Sequence, residues 1–238
     1  MSGLSYAAEQ VTRLDDVTLS IHPGEIVGIA GVSGNGQTEL VRALSGVLPG
    51  ARGTIVVDDT DLSGLGVTQR INAGFGRLTE DRKGSVVPGL SVEHNLVIED
   101  LHRFRRGPFL EKKRVRAHAE HLITEYSIKA SPNDPVRTLS GGNLQKLLLA
   151  RALFRQPRVF IASQPTRGLD ISSCDFVYAR LRKLRDAGAG ILIVSEDLDE
   201  LLTLSDRVGV LYAGRLSALL SGTDLDRDRI GLLMAGQQ

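Results

Sequence analysis

An apolar strand pattern over residues 25–30 runs into the glycine-rich stretch Gly31-Val32-Ser33-Gly34-Asn35-Gly36, then directly into helical spacing over 37–44. This strand–loop–helix order constrains the chain more than any other feature. A short continuous apolar run needs cover on both faces of a sheet. Glycines at a helix start leave backbone N–H groups where the helix dipole favours an anion. The alternation returns after Pro157, with strands over 159–162 and 191–194 and helices over 176–186 and 198–204. Two closing strands, 208–212 and 216–220, meet at Ala213-Gly214. Buried strands alternating with helices indicate an α/β fold with a mainly parallel sheet and antiparallel strands at its periphery.

Upstream, the patterns predict strands over 17–21, 54–58 and 75–79 and a helix over 67–73, with Gly46 closing the helix at 37–44. From about 80 to 156 the character changes to helices and charged loops with no long strand. Over 113–126, Val115, Ala119, Leu122, Ile123 and Tyr126 fall on one helical face. The chain is therefore expected to be one domain, 1–238, with an α/β core at about 1–80 and 157–238 and an inserted helical lobe at about 81–156. Cys174, the only cysteine, excludes an intramolecular disulfide and fits a reducing cytosol. A net charge of +1 gives no global basic field to recruit nucleic acid. No apolar run reaches the roughly 18 residues of a membrane span, and Met1-Ser2-Gly3 leads into no signal-peptide core, so any membrane role is expected to run through a partner.

Four segments carry candidate chemistry. Gly31 to Thr38 meets the pattern G-x-x-x-x-G-K-[ST] except that Gln37 stands where the lysine belongs. Gly31, Ser33, Gly34, Asn35 and Gly36 retain a phosphate cradle, and Thr38 is a weak Mg²⁺ candidate. The missing charge-assisted bond, about 1.5–3 kcal/mol, lowers affinity roughly ten- to a hundredfold. A dinucleotide-binding reading, with Asp58 as the ribose acid, fails because no third glycine follows Gly36; Asp58 reads as a strand-end turn residue. In the second segment, Leu139-Ser140-Gly141-Gly142-Asn143 opens a helix carrying Gln145, so that a hydroxyl and several N–H groups converge at its positive end. Taken alone, Ser-Gly-Gly is also an ordinary capped turn. The third, the strand 159–162, runs into Ser163-Gln164-Pro165-Thr166 and Gly168-Leu169-Asp170. In the fourth, Ser195-Glu196-Asp197 starts a helix.

Together with Glu80 in Glu80-Asp81-Arg82, these ordered segments resemble ATP-binding cassette (ABC) ATPases. Their subgroup resembles the C-terminal half of the tandem ATPases of bacterial sugar and nucleoside importers. The resemblance implies a P-loop NTPase fold and ATP with Mg²⁺ as cofactors. It places Gly31 to Thr38 with Glu80 and Ser163 at the chain's own nucleotide, and Ser140, Gly141, Gly142, Asn143 and Gln145 in the signature that meets ATP held by a partner cassette. It makes Gly168, Leu169 and Asp170 the D-loop. It also puts Ser163 where a Mg²⁺ aspartate is usual, Gln164 where the general base is usual and Glu196 where the switch histidine is usual. A carboxylate 4–5 Å from a γ-phosphate charge costs about 3–4 kcal/mol at an effective dielectric near 20. Taken singly, Ser163 and Gln164 also read as the polar end of a buried strand, and Glu196 and Glu80 as solvated acids.

The function implied is a nucleotide-binding half of an ABC importer with a degenerate site of its own, working with a second cassette bearing intact Walker motifs. Permease membrane subunits and, indirectly, a substrate-binding protein complete the set, on the cytoplasmic face of the plasma membrane. A regulatory or scaffold pseudo-ATPase is the alternative. A soluble ABC ATPase of translation or DNA repair is disfavoured by the near-neutral charge and the subgroup segments. The basic run Arg103, Arg105, Arg106, Lys112, Lys113, Arg114 and Arg116 reads as a solvated face in preference to a nucleic-acid or lipid-headgroup surface. In this family the stretch 82–96 is the expected coupling surface to the membrane subunits. Tyr6 is the one upstream candidate for adenine stacking and reads more simply as an unremarkable tyrosine.

Overall fold

The computed structural model describes residues 1–237. The chain divides into two compact units. The first comprises Met1–Arg77, Pro157–Pro165 and the chain from Tyr178 onward; the second comprises Leu78–Gln156 and Thr166–Val177.

The first unit is built on a seven-stranded sheet. Its strand order is Arg215–Leu216, Arg207–Tyr212, Ile26–Ala30, Gly190–Ser195, Val159–Ser163 and Phe75–Leu78, with Leu220–Ser221 also pairing with Arg207–Tyr212. The four longest members, Ile26–Ala30, Gly190–Ser195, Val159–Ser163 and Arg207–Tyr212, are mutually parallel; Arg215–Leu216 and Leu220–Ser221 are antiparallel. Every residue of Ile26–Ala30 and Gly190–Ser195 is buried, which explains why these strands read as continuous apolar runs. Register decides what this sheet presents. Ala30 lies opposite Ser195, and Val194 opposite Ser163, so the segments beginning at Gly31, Glu196 and Gln164 leave the carboxyl edge side by side. Open parallel sheets bind ligands at that edge.

Three strand expectations change. The alternation at 17–21 belongs to a strand only at Val17, where Val11–Val17 ends; Leu19 is buried from irregular backbone, its N–H bonded to the Met1 carbonyl. That strand joins a separate antiparallel sheet with Ser2–Ala8 and Arg52–Thr54. The run 54–58 is broken. Val56–Val57 pairs with Thr60–Asp61 across Asp58-Asp59, both at positive φ (45° and 63°), the signature of a tight hairpin turn. Asp58 is thus a turn residue, and its carboxylate pairs with Arg158 at 3.0 Å. The run 216–220 likewise supplies two short strands with a gap between them.

The helix Gln37–Leu44 follows the glycine loop and buries Leu40, Val41, Ala43 and Leu44. Its end is closed twice. Gly46, at φ 75°, donates to the Ala43 carbonyl while Val47 donates to that of Arg42, a Schellman pair. Arg70, on the helix Val67–Asn72 and only 4% exposed, then spreads its guanidinium over four carbonyls. It donates to Ala43 (2.7 Å), Leu44 (2.6 Å), Leu65 (2.8 Å) and Ser63 (3.1 Å). A cation against the C-terminal carbonyls answers the negative end of the helix dipole.

The second unit is helical: Val92–Val97, Lys112–Glu125, Gly141–Leu153 and the first turns of Ile171–Asp186. The helix Val92–Val97 was not legible in the pattern. Asn95, fully buried, organises it by donating to the carbonyls of Val87, Leu90 and Ser91 and accepting from the Val87 N–H. The two-residue strands Arg105–Arg106 and Phe109–Leu110 form a small hairpin in this otherwise strandless stretch.

Candidate functional site

In the first unit the glycine loop sits where the strand Ile26–Ala30 meets the helix Gln37–Leu44. Gly36 is the N-cap at φ 108°, and the first N–H groups of the helix lack intrahelical acceptors, as in any helix. Asn35 fastens the loop to the turn that follows Arg207–Tyr212: its Oδ1 accepts from the Ala213 N–H (2.9 Å) and its carbonyl from that of Gly214 (3.0 Å). Gln37 is turned back into the loop. Its Nε2 donates to the Val32 carbonyl at 3.0 Å, an oxygen that also accepts from Asn35 Nδ2 (3.0 Å) and the Asn35 N–H (3.3 Å). The Gln37 Oε1 is buried without a hydrogen-bond partner. Gly31 must be a glycine beneath this fold-back: an added Cβ would run into the Gln37 amide and lie 2.6 Å from the Leu211 carbonyl. Ser33 and Thr38 are exposed.

Ser163 is buried at the end of its strand. Gln164 adopts φ 48° and donates its N–H to the Val194 carbonyl at 2.8 Å. Glu196 is exposed one residue beyond the strand Gly190–Ser195. Next to it, Asp197 caps the helix Leu198–Leu204 through the N–H groups of Asp199 and Glu200. The sheet register therefore brings the glycine loop, Gln164 and Glu196 to one edge. Backbone N–H groups suit a phosphate there, but the loop presents an amide in place of an ammonium, and no carboxylate ends Val159–Ser163. Among the described residues no group of three His, Cys, Asp or Glu is placed to hold a metal ion. This donor set fits a magnesium triphosphate poorly. Tyr6 packs against the hydrophobic core as an ordinary half-buried tyrosine.

The second unit holds the remaining candidates. Ser140 caps the helix Gly141–Leu153, its Oγ accepting from Asn143 Nδ2 at 3.0 Å and, at 3.4 Å, from the Asn143 N–H. Asn143 Oδ1 in turn accepts from the Lys129 N–H at 2.8 Å, so the cap is held from both sides. Ser140 and Gly141 are exposed. Gly142 lies so close to the helix Ile171–Asp186 that an added Cβ would stand 2.8 Å from Ser173 Oγ. That hydroxyl and the Ser173 N–H both donate to Asp170, as does Ser172 Oγ. Led by the Ser172 hydroxyl, these hydrogen bonds pull the Asp170 carboxyl down to about 2. Gly168 and Asp170 are exposed and Leu169 is half-buried on this loop.

Gln145, one turn into the helix Gly141–Leu153, is only 1% exposed. Arg167 stands between Thr166 and Gly168. Its guanidinium pairs with Glu80 at 2.6 Å, and its carbonyl accepts from Arg82 at 2.5 Å, which ties the Glu80 loop to the Gly168–Asp170 loop. The clue was the charge complementarity of Glu80-Asp81-Arg82 and Arg167, visible only once distant segments meet.

These geometries place a phosphate-type loop at a sheet edge in one unit and a capped Ser-Gly-Gly helix start in the other. The ABC transporter family profile matches residues 14–167. The chain belongs to the ABC transporter ATP-binding cassette family. Its similarity to a glucose import ATP-binding protein of Haloferax volcanii is 40% identity over 95% of the chain and 42% of that protein. A guanosine import ATP-binding protein of Bacillus subtilis is 38% identical over 95% of the chain and 45% of its own length. A ribose import ATP-binding protein of Rubrobacter xylanophilus is 38% identical over 94% of the chain and 46% of its own length. The cassette thus spans less than half the length of these relatives. Among solved structures, a nucleotide-free ABC transporter cassette superposes with a TM-score of 0.82 at 20% identity, covering 97% of this chain and 93% of that one. A dimeric cassette bound to ADP and Pi gives 0.78 at 22%, covering 92% and 97%. The α/β cassette fold, with its mainly parallel sheet, is that of these structures.

Proposed function

We propose that this cassette is the degenerate nucleotide-binding half of an ABC importer for a sugar or nucleoside. In this reading it lends its signature to a second cassette that carries intact Walker motifs. The observation that carries the proposal is the contrast between its two half-sites. The signature helix start is exposed, with Ser140 as its cap and Asn143 bracing it. The chain's own loop instead has Gln37 bonded back to Val32 and no cation for the phosphates.

When ATP and Mg²⁺ are bound between two cassettes, the partner supplies the catalytic lysine and carboxylate. Ser140 Oγ and the N–H groups of Gly141 and Gly142 would then hold the terminal phosphate, with the dipole of a 13-residue helix behind them. Gly31, Ser33, Gly34, Asn35, Gly36, Gln37 and Thr38, with Ser163, would line a second site of weakened affinity. Glu196 adds a negative charge at that sheet edge and Gln164 is no proton acceptor, so hydrolysis there is disfavoured. The D-loop residues Gly168 to Asp170 would face the partner cassette. Permease subunits, and through them a substrate-binding protein, complete the complex, with this chain peripheral on the inner face of the membrane. No helix among the described residues is long and apolar enough to cross a membrane.

The test is reconstitution with the partner cassette and membrane subunits. The chain alone should hydrolyse ATP negligibly, and Ser140→Glu should silence the complex while leaving assembly intact. Unaltered turnover in the Ser140→Glu complex, or tens of turnovers per second by the chain alone, would contradict the reading.

A further inference from the structure

The small hairpin of the second unit carries a face that the unit does not cover. Gly107, at φ 61°, and Pro108 make its turn. Cross-strand partners share a face of a hairpin. Leu110, opposite Arg105, packs on the cluster of Val97, Phe104 and Val115. Phe109, opposite Arg106, is on the other face and is 76% exposed. One exposed apolar side chain is ordinary by itself; what sets Phe109 apart is the company it keeps.

The basic run around it separates into two sets. Arg103 pairs with Asp100 (3.5 Å), Arg114 with Glu111 (3.6 Å) and Arg116 with Glu93 (2.8 Å). Arg105, Arg106, Lys112 and Lys113 are exposed and have no acidic partner among the described residues. Two of them precede the tip and two follow it, at the start of the helix Lys112–Glu125. Lys112 and Lys113 also line an open depression of about 380 Å³ together with Leu110 and Val115, in which the one carboxylate, Glu93, is already neutralised by Arg116. The arrangement is layered, with an apolar tip of Pro108 and Phe109 behind which stand four uncompensated cations. A bilayer surface has the complementary layering, acyl chains beneath a plane of phosphates. It is the joint placement of ring and unpaired cations at one tip, not either alone, that matches such a surface.

We propose that residues 105–113 form a peripheral membrane anchor that seats Phe109 among the headgroups of an anionic bilayer. Arg105, Arg106, Lys112 and Lys113 meet lipid phosphates. The contact lies at the surface, since no described helix can span a bilayer. It does not depend on the ATP-site reading, because no nucleotide takes part.

Sedimentation of the purified chain with vesicles tests it. Vesicles of phosphatidylcholine mixed with phosphatidylglycerol should carry the chain down, with binding that falls as salt rises, and vesicles of phosphatidylcholine alone should not. Each cation near an anionic surface contributes about fivefold, so Arg105→Gln/Arg106→Gln should weaken binding roughly 25-fold. Phe109→Ser should weaken it about tenfold with the salt dependence unchanged. Arg103→Gln, off the hairpin and 3.5 Å from the Asp100 carboxylate that Arg155 also holds, should weaken binding less than either tip arginine. All four positions are at the surface, and an unchanged thermal midpoint will show that the variants remain folded. Equal binding to both vesicle types, no binding to either, or full binding by the double variant and Phe109→Ser would overturn the proposal.

Discussion

Replacing Arg70 with leucine removes a cation that is 4% exposed and makes four hydrogen bonds to backbone carbonyls. Hydrogen bonds to a charged group contribute about 1.5–3 kcal/mol each, which sets an upper bound of roughly 6–12 kcal/mol if they added. They do not add. Burial pulls the Arg70 pKa down from its usual value, so part of the gain already offsets desolvation of the guanidinium, and leucine removes that cost. The Ala43 carbonyl also retains the Gly46 N–H at 3.1 Å. What remains is about two or three carbonyls left without a partner near a helix end, a loss of roughly 3–4 kcal/mol. For a chain of this size that corresponds to a fall in Tm of about 6–15 °C. Arg70→Lys keeps the charge but reaches fewer carbonyls, and should lose about half as much. Urea and thermal unfolding followed by circular dichroism measure both. A loss below about 1 kcal/mol for Arg70→Leu would refute the view that this fork closes the helix behind the glycine loop, because only the Ala43 carbonyl keeps the second donor named above.

Other consequences are equally direct. Gln37→Lys should break the bond to Val32 and supply the missing cation, raising ATP affinity roughly ten- to a hundredfold by equilibrium dialysis; unchanged affinity would mean that the loop is closed for another reason. At Glu25, burial alone would raise the carboxyl pKa. The guanidinium of Arg207 (2.5 and 2.9 Å) outweighs it with the N–H and ring of His22, and the group is held at about 2 against its usual 4.5. Its stabilisation is therefore present above pH 4.5 and lost as pH falls through 2. Glu25→Gln should cost about 1–2 kcal/mol at pH 7, with the gap to the parent narrowing only across that acid window. Gly28→Ala, in the strand that feeds the loop, would place a Cβ 2.6 Å from Ser205 Oγ and 2.9 Å from Leu201 Cδ2. A loss of about 1–3 kcal/mol in urea unfolding is expected, and a neutral result would show slack in that packing.

The amino-acid sequence alone determined the elements whose causes are local. Helices at 37–44 and 198–204 and the buried strand leading to Gly31 follow from apolar spacing, glycine and caps within a few residues of each other. The glycine loop, the Ser140 cap and the polar ends of the strands were legible for the same reason. Tertiary structure decided what those residues do. The alternation at 17–21 records burial, which irregular backbone can supply as well as a strand, and Leu19 is buried without a ladder. Arg70 reads as one cation on a short amphipathic helix until the fold carries it to carbonyls 26 and 27 positions away. Gln145 is buried although its polar side chain and motif position give no sign of it in sequence. Among the cations from 103 to 116, Arg103 and Arg114 have acids three residues away in sequence, at Asp100 and Glu111; only folding brings Glu93 to Arg116 and leaves Arg105, Arg106, Lys112 and Lys113 unpaired near an exposed ring. Periodicity reports which side of an element is dry. Partners brought from far along the chain leave no such periodic trace, so a side chain's role waits on the fold.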